Sequence, residues 1–198
     1  MIEEIIQIFR SLEFNWIIEI SAVCFGIIYI VLAAKENIWC WPASAISVCL
    51  YAYIFYNQPF YAQAGLQIFY LTMSIYGYFM WKKVDSEKIK KWSEIKHIII
   101  ICFGLILTLV IEFYLREYVE NSKNPGIDAL TTVFSVFATY MVVKKVLESW
   151  LYWIVIDAVL VYLCYSTGLY ITSFLYVSYI IIAIFGYFSW IKKMKVND

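Results

Sequence analysis

Residues 77–81 read Gly-Tyr-Phe-Met-Trp and residues 186–190 read Gly-Tyr-Phe-Ser-Trp. The two stretches lie 109 positions apart, and the same offset aligns 41–81 with 150–190 without a gap. It pairs Trp41 with Trp150, Tyr53 with Tyr162, Tyr56 with Tyr165, Tyr61 with Tyr170, Leu66 with Leu175 and Tyr70 with Tyr179, ahead of the shared Gly-Tyr-Phe-x-Trp. An apolar chain rich in aromatic residues produces chance identities. An ungapped register that keeps both Gly and Trp across two helical lengths points instead to an internal repeat, and a repeat decides the fold.

Composition fixes the solvent in which the repeat folds. Of 198 residues, 64% are hydrophobic, 20% aromatic and 15% charged, against roughly 25% charged for an average soluble domain. The chain is therefore expected in a lipid bilayer, and its net charge of +0 leaves no basic surface for nucleic acid. Seven apolar runs, near 16–34, 38–56, 60–81, 95–115, 127–143, 147–165 and 169–190, are each long enough to cross about 30 Å of hydrocarbon. Short breaks separate them. Lys-Glu-Asn at 35–37 and Lys-Lys at 144–145 put charge at the membrane surface, while Asn-Gln-Pro at 57–59, Asn-Pro-Gly at 124–126 and Ser-Thr-Gly at 166–168 are turn formers.

The repeat pairs the second and third runs with the sixth and seventh, and by extension the first with the fifth. The fourth run is left as a linker. Two three-helix units in direct tandem would be inverted, and one added crossing restores the second to the orientation of the first. The expectation is an all-α integral membrane protein with seven transmembrane helices in a parallel 3+1+3 repeat, an arrangement that occurs in transporters of the SWEET type, whose sites lie near the midplane at the repeat interface. The corresponding parts are an amphipathic lead-in (1–15), a first three-helix repeat (16–81), a basic cytoplasmic loop with the linker helix and an outer loop (82–126), a second repeat (127–190) and a cytoplasmic tail (191–198).

Orientation follows from the basic residues. With the N-terminus outside, the cytoplasmic segments hold Lys35, then Lys82, Lys83, Lys88, Lys90, Lys91 and Lys96, then Lys144 and Lys145, then Lys192, Lys193 and Lys195, twelve of the 15 Lys and Arg residues. Arg10, Arg116 and Lys123 remain outside. This asymmetry predicts N-out and C-in. The start, with three Glu and one Arg before residue 15, lacks the basic n-region and cleavage site of a signal peptide.

Catalytic signals are thin. No Walker loop, GxSxG, HExxH or paired-carboxylate pattern is present, so neither an enzyme nor an ATP-driven pump is expected, nor any cofactor or metal. His97, the one histidine, reads as an interfacial side chain in a basic loop, and the five cysteines read as packing residues.

What remains are polar groups at membrane depth. In Glu-Ser-Trp-Leu-Tyr-Trp-Ile-Val-Ile-Asp, 148–157, the spacing i, i+3, i+7 puts Trp150, Trp153 and Asp157 on one helical face. Asp157 lies ~15 Å from the inner end of its helix and Gln67 ~10 Å below the outer end of its own, at 1.5 Å per residue. Intramembrane polar groups are costly and by default face the bundle interior or a water-filled path, although Asp157 as polar glue between helices is the competing reading. Glu19, about one turn from a helix end, reads as reaching the interface. In the repeat register Asp157 meets Val48 and Gln67 meets Tyr176, so a near-symmetric scaffold carries an asymmetric polar centre, as an asymmetric ligand requires. Trp39, Trp81 and Trp190 read as members of an interfacial belt. Trp153, a turn deeper, reads as a stacking surface, with Trp150 and its repeat partner Trp41 as further candidates.

The segments 35–42 (Lys-Glu-Asn-Ile-Trp-Cys-Trp-Pro), 61–81 and 148–157 resemble the PnuC family of bacterial vitamin transporters, the specific parts being the WxxW of Trp150 and Trp153, the Leu66-Gln67 pair and the Tyr-Gly-x-x-x-Trp of 76–81. The resemblance implies a SWEET-like 3+1+3 fold in the bacterial inner membrane, usually as a homotrimer. It further implies uptake of nicotinamide riboside by facilitated diffusion, drawn inward by a cytoplasmic kinase that phosphorylates the riboside; some relatives carry thiamine. Several family members have Asn where this chain has Asp157, so the charge there tunes affinity or signals a different vitamin. Both vitamins carry a cationic heteroaromatic ring that stacks on Trp or Tyr for about 1–2 kcal/mol when desolvated, and a carboxylate beside it neutralises the cation. Gln67, Tyr70 and Asn37 then suit the ribose hydroxyls and carboxamide, with Asp157 expected opposite Gln67 and Tyr70 and Trp153 one turn below it. A proton-coupled carrier using Asp157 or Glu19 and a non-transporting scaffold are the readings that remain beside a uniporter.

Overall fold

The computed structural model describes residues 2–57, 61–83, 88–118, 124–166 and 170–197. The turns expected at 57–59 and 166–168, the charge of Lys123, part of the basic loop and the last residue of the tail lie wholly or partly outside the described residues. Among those described, every long element is a helix: α1 (Ile2–Ala34), α2 (Cys40–Asn57), α3 (Tyr61–Lys82), α4 (Glu94–Tyr118), α5 (Pro125–Val143), α6 (Ser149–Ser166) and α7 (Tyr170–Asn197). Their cores coincide with the seven apolar runs. At the chain ends the helices outrun the apolar pattern: α1 begins at Ile2 and α7 reaches Asn197, giving ~50 Å and ~42 Å at 1.5 Å per residue. Five helices, over Trp16–Ala34, Glu94–Tyr118, Pro125–Val143, Ser149–Ser166 and Ser173–Lys195, are long and apolar enough to cross a membrane, and α2 is apolar over the shorter stretch Cys40–Ile54. The chain is a multi-pass membrane protein.

The chain divides into two compact units, Met1–Ser86 and Glu87–Asp198. In the first, α2 packs against both α1 and α3; in the second, α6 packs against α5 and α7, and α4 against α5. Pro125 opens α5 where its missing N–H costs nothing.

The ends of α1 and α5 are built in the same way. Glu36 (φ 57°) and Lys145 (φ 51°) take the left-handed conformation. After α1, Asn37 N–H reaches the Leu32 carbonyl at 2.9 Å and Glu36 N–H that of Ala33 at 2.9 Å; after α5, Val146 N–H reaches Met141 at 2.9 Å and Lys145 N–H reaches Val142 at 3.0 Å. This is the Schellman closure, in which a left-handed residue satisfies the last carbonyls of a helix. The bonds that start the next helix also recur at an offset of 109: Cys40 to Asn37 and Trp41 to Ile38, then Ser149 to Val146 and Trp150 to Leu147.

A second shared feature joins the helices beyond. Trp41 covers Gly77 so closely that a Cβ there would stand 2.5 Å from indole carbons, and Trp150 covers Gly186, where it would stand 2.8 Å away. Trp81 meets Trp41 edge to face at 5.2 Å and 85°, and Trp190 meets Trp150 at 5.5 Å and 89°. The belt reading therefore does not fit Trp81 and Trp190, whereas Trp39 is exposed. Trp81 and Trp190 are buried, because each closes a local aromatic pair. Two other sequence readings change: Lys145 is buried rather than at the surface, and Cys24, Cys49 and Cys102 are exposed, leaving Cys40 and Cys164 in the packing.

Candidate functional site

In the first unit, Gln67 on α3 is buried, with 8% of its surface accessible. Tyr70, one turn on, is half-buried. The helices around them are tied by side-chain hydrogen bonds. Ser74 Oγ donates to the Tyr70 carbonyl at 2.8 Å and lies 2.7 Å from Ser44 Oγ, so Ser44 supplies the proton between the two hydroxyls. Ser47 Oγ donates to the Ala22 carbonyl of α1 at 2.8 Å. Asn37 is exposed in the turn before α2, and its Oδ1 accepts the Trp39 N–H at 3.0 Å, so its amide is engaged in shaping that turn. Trp41 is enclosed by Tyr29, Gly77 and Trp81. Glu19 is exposed.

In the second unit, α6 presents Trp150, Trp153 and Asp157 on one face, the first and last buried and Trp153 half-buried. Trp150 is in the joint with Gly186 and Trp190. Asp157 has 4% of its surface accessible, and among the described residues its carboxylate has no hydrogen-bond or ion-pair partner. A carboxylate so placed costs several kcal/mol in its charged form unless something compensates it. On α7, Tyr176 is half-buried and its ring meets Tyr179 at 6.0 Å and 82°.

The polar inventories of the two units differ at matching positions. The register puts Trp153 where the first unit has Ser44, and Ala183 where it has Ser74, so the hydroxyl pair that ties α2 to α3 has an aromatic and a small residue as its counterparts on α6 and α7. Asp157 stands at the position of Val48. Sequence reasoning missed a row of hydroxyls on α5, Thr131, Ser135 and Thr139, all buried. Thr131 donates to the Ile127 carbonyl and Thr139 to that of Ser135, each at 2.8 Å. Each oxygen remains able to accept a hydrogen bond. Their i, i+4, i+8 spacing was the available signal, masked by the weak contrast of Thr and Ser in an apolar helix.

The arrangement suits a small organic cation. Within the second unit it offers a buried acid, an indole one turn away on the same helical face, and the buried hydroxyls of α5.

Comparison with known proteins gives the chain its relatives. Residues 16–192 match the family model described as nicotinamide mononucleotide transporter. The nicotinamide riboside transporter PnuC of Haemophilus influenzae is 25% identical over 195 residues, covering 91% of this chain and 81% of that protein. PnuC of Escherichia coli is 24% identical over 211 residues, covering 92% and 88%. The riboflavin/roseoflavin transporter RibM of Streptomyces davaonensis is 25% identical over 173 residues, covering 83% and 80%. Among solved structures, that of the vitamin B3 transporter PnuC superposes with a TM-score of 0.74 at 23% identity over 100% of this chain and 88% of that one, a likeness of fold.

Proposed function

We propose that this chain, which belongs to the nicotinamide mononucleotide transporter family that includes PnuC, carries nicotinamide riboside across the bacterial inner membrane by facilitated diffusion. The observation that carries the reading to the residue level is Asp157, a buried carboxylate without a partner among the described residues on the helix that also presents Trp153. A cationic pyridinium ring compensates the acid and stacks on the indole at once. Trp150, Trp41 and Tyr176 complete the aromatic candidates, and Gln67, Tyr70 and Asn37 the hydrogen-bonding ones.

The matching helix closures, Trp-on-Gly joints and register of 109 support a parallel 3+1+3 repeat of seven crossings, SWEET-like, partitioned at 16–81, 82–126 and 127–190. The basic residues support N-out and C-in. A homotrimer, and trapping of the imported riboside by a cytoplasmic kinase that adds a phosphate, complete the proposal.

The second reading is a different vitamin, thiamine or the riboflavin named for RibM. Proteoliposomes decide both points. Radiolabelled nicotinamide riboside should enter and, with no kinase present, level off at the outside concentration, with excess thiamine or riboflavin competing poorly. Accumulation above the outside concentration under a pH gradient would replace the uniporter with a proton-coupled carrier, and uptake of riboflavin alone would reassign the cargo.

A further inference from the structure

The sequence reads His97 as an interfacial side chain, and the second unit places it in a polar cluster. Ahead of α4 the chain runs alongside the turn between α5 and α6. Lys90 N–H donates to the Lys145 carbonyl at 3.0 Å, Leu147 N–H donates to the Lys90 carbonyl at 2.9 Å, and Trp92 N–H donates to Glu148 Oε2 at 3.3 Å. From the first turn of α4, His97 puts Nδ1 at 3.1 Å from the Tyr152 hydroxyl and Nε2 at 3.8 Å from Glu148 Oε2. Nε2 is buried and has no hydrogen-bond partner. Its distance to Glu148 is too long for a hydrogen bond and within reach of an ion pair.

We propose that His97 and Glu148 form a proton-operated latch that fastens the first turn of α4, and with it the segment just ahead whose Trp92 N–H shares the same carboxylate, to the residue that precedes α6, tight when the imidazole is protonated and loose when it is neutral. A neutral imidazole carries one N–H and no net charge, so its pull on a carboxylate 3.8 Å away is weak. A protonated ring donates from both nitrogens, holding Tyr152 through Nδ1 and drawing Glu148 in through Nε2. Histidine is the side chain whose ordinary charge change falls between pH 5 and 8.

The surroundings leave Glu148 as the partner. The segment ahead of α4 brings Lys88, Lys90 and Lys91, α4 brings Glu94 and Lys96, α5 brings Tyr140 and the turn after it Lys144 and the buried Lys145, and α6 brings Tyr152. The Lys96 and Lys144 ammonium groups lie over the Trp92 and Tyr140 rings, each 5.9 Å from the centroid. Among the described residues, Glu148 is the carboxylate in ion-pair range of the imidazole. Because α6 also bears Trp153 and Asp157, the latch acts on the helix to which the proposed function assigns the substrate, and in that respect it rests on that reading.

The test needs no substrate. Ile89, buried between Lys88 and Lys90, becomes a thiol probe as Ile89→Cys in the full chain with its five native cysteines replaced. Its reactivity with a water-soluble methanethiosulfonate is divided by that of N-acetylcysteine at each pH. The ratio should fall several-fold from pH 8 to pH 6. It should stay uniformly high in His97→Gln and Glu148→Gln, whereas Tyr152→Phe, which keeps the ion pair, should retain the fall. A flat ratio in the parent, or an unchanged fall in either His97→Gln or Glu148→Gln, overturns the latch. Such a failure leaves the cargo assignment untouched, and a failure of riboside uptake with this pH response intact counts against the cargo assignment alone.

Discussion

Asp157 is where a packing role and a binding role separate most cleanly, because they respond in opposite ways to the same substitutions. If the acid meets a cation, Asp157→Asn keeps the shape and hydrogen-bonding capacity but loses the charge. Affinity for nicotinamide riboside should then change by about 1–2 kcal/mol, a factor of roughly 5–30. Asp157→Leu should abolish binding while the protein still folds, since it removes an expensive buried acid. Trp153→Ala should weaken binding by the stacking contribution, about 1–2 kcal/mol. Calorimetric titration of each folded variant checks the series, and an unaltered dissociation constant for Asp157→Leu would return the acid to a structural role. Glu36 makes a different prediction at the same scale. A left-handed residue with a Cβ is strained by roughly 1–2 kcal/mol, so Glu36→Gly should stabilise the first unit by about 1 kcal/mol, read as a higher midpoint of thermal unfolding in detergent. The Asx turn of Asn37 and the Schellman bonds of the turn keep the conformation the glycine would need.

Between helices, the decisive contacts are those that two elements make jointly, and this sets how much could be read in advance. The seven helices were legible because an apolar run of membrane length is a one-dimensional signal, and the twin closures were foreshadowed by the register of 109. The burial of Trp81 and Trp190 was not, because a belt residue and a residue edge-on to another indole have the same sequence pattern. Nor was the burial of Lys145, whose carbonyl is reached by Lys90 from 55 positions away in the chain. Of the candidate site, the shared face of Trp150, Trp153 and Asp157 was legible from periodicity. The engagement of Asn37 in its own turn and the hydroxyl row of α5 were not. The Ser44–Ser74 pair gives a test of such joint contacts. Each single change to Ala should cost about 1 kcal/mol, and the double variant should cost less than the sum by a coupling of at least ~0.5 kcal/mol. Full additivity in chemical denaturation would mean that the 2.7 Å contact does not hold α2 to α3.

For the molecule as a whole, the proposed topology is the property most open to direct test. A cysteine replacing Lys88, in a background without the native cysteines, should react with an impermeant reagent in inverted vesicles and resist it in intact cells; labelling from outside would reverse N-out and C-in. The two Trp-on-Gly joints carry a consequence of another kind, for inherited variation. A glycine codon is converted by any missense change into one that adds a Cβ, and at 77 and 186 that atom would sit 2.5–2.8 Å from a buried indole. Even alanine, the mildest of these changes, should cost about 1–3 kcal/mol by overpacking. In a library of all single substitutions selected for growth on nicotinamide riboside, these two columns should be depleted of every amino acid but glycine. Drift is then expected to be tightest at two positions whose constraint is the space left by an indole.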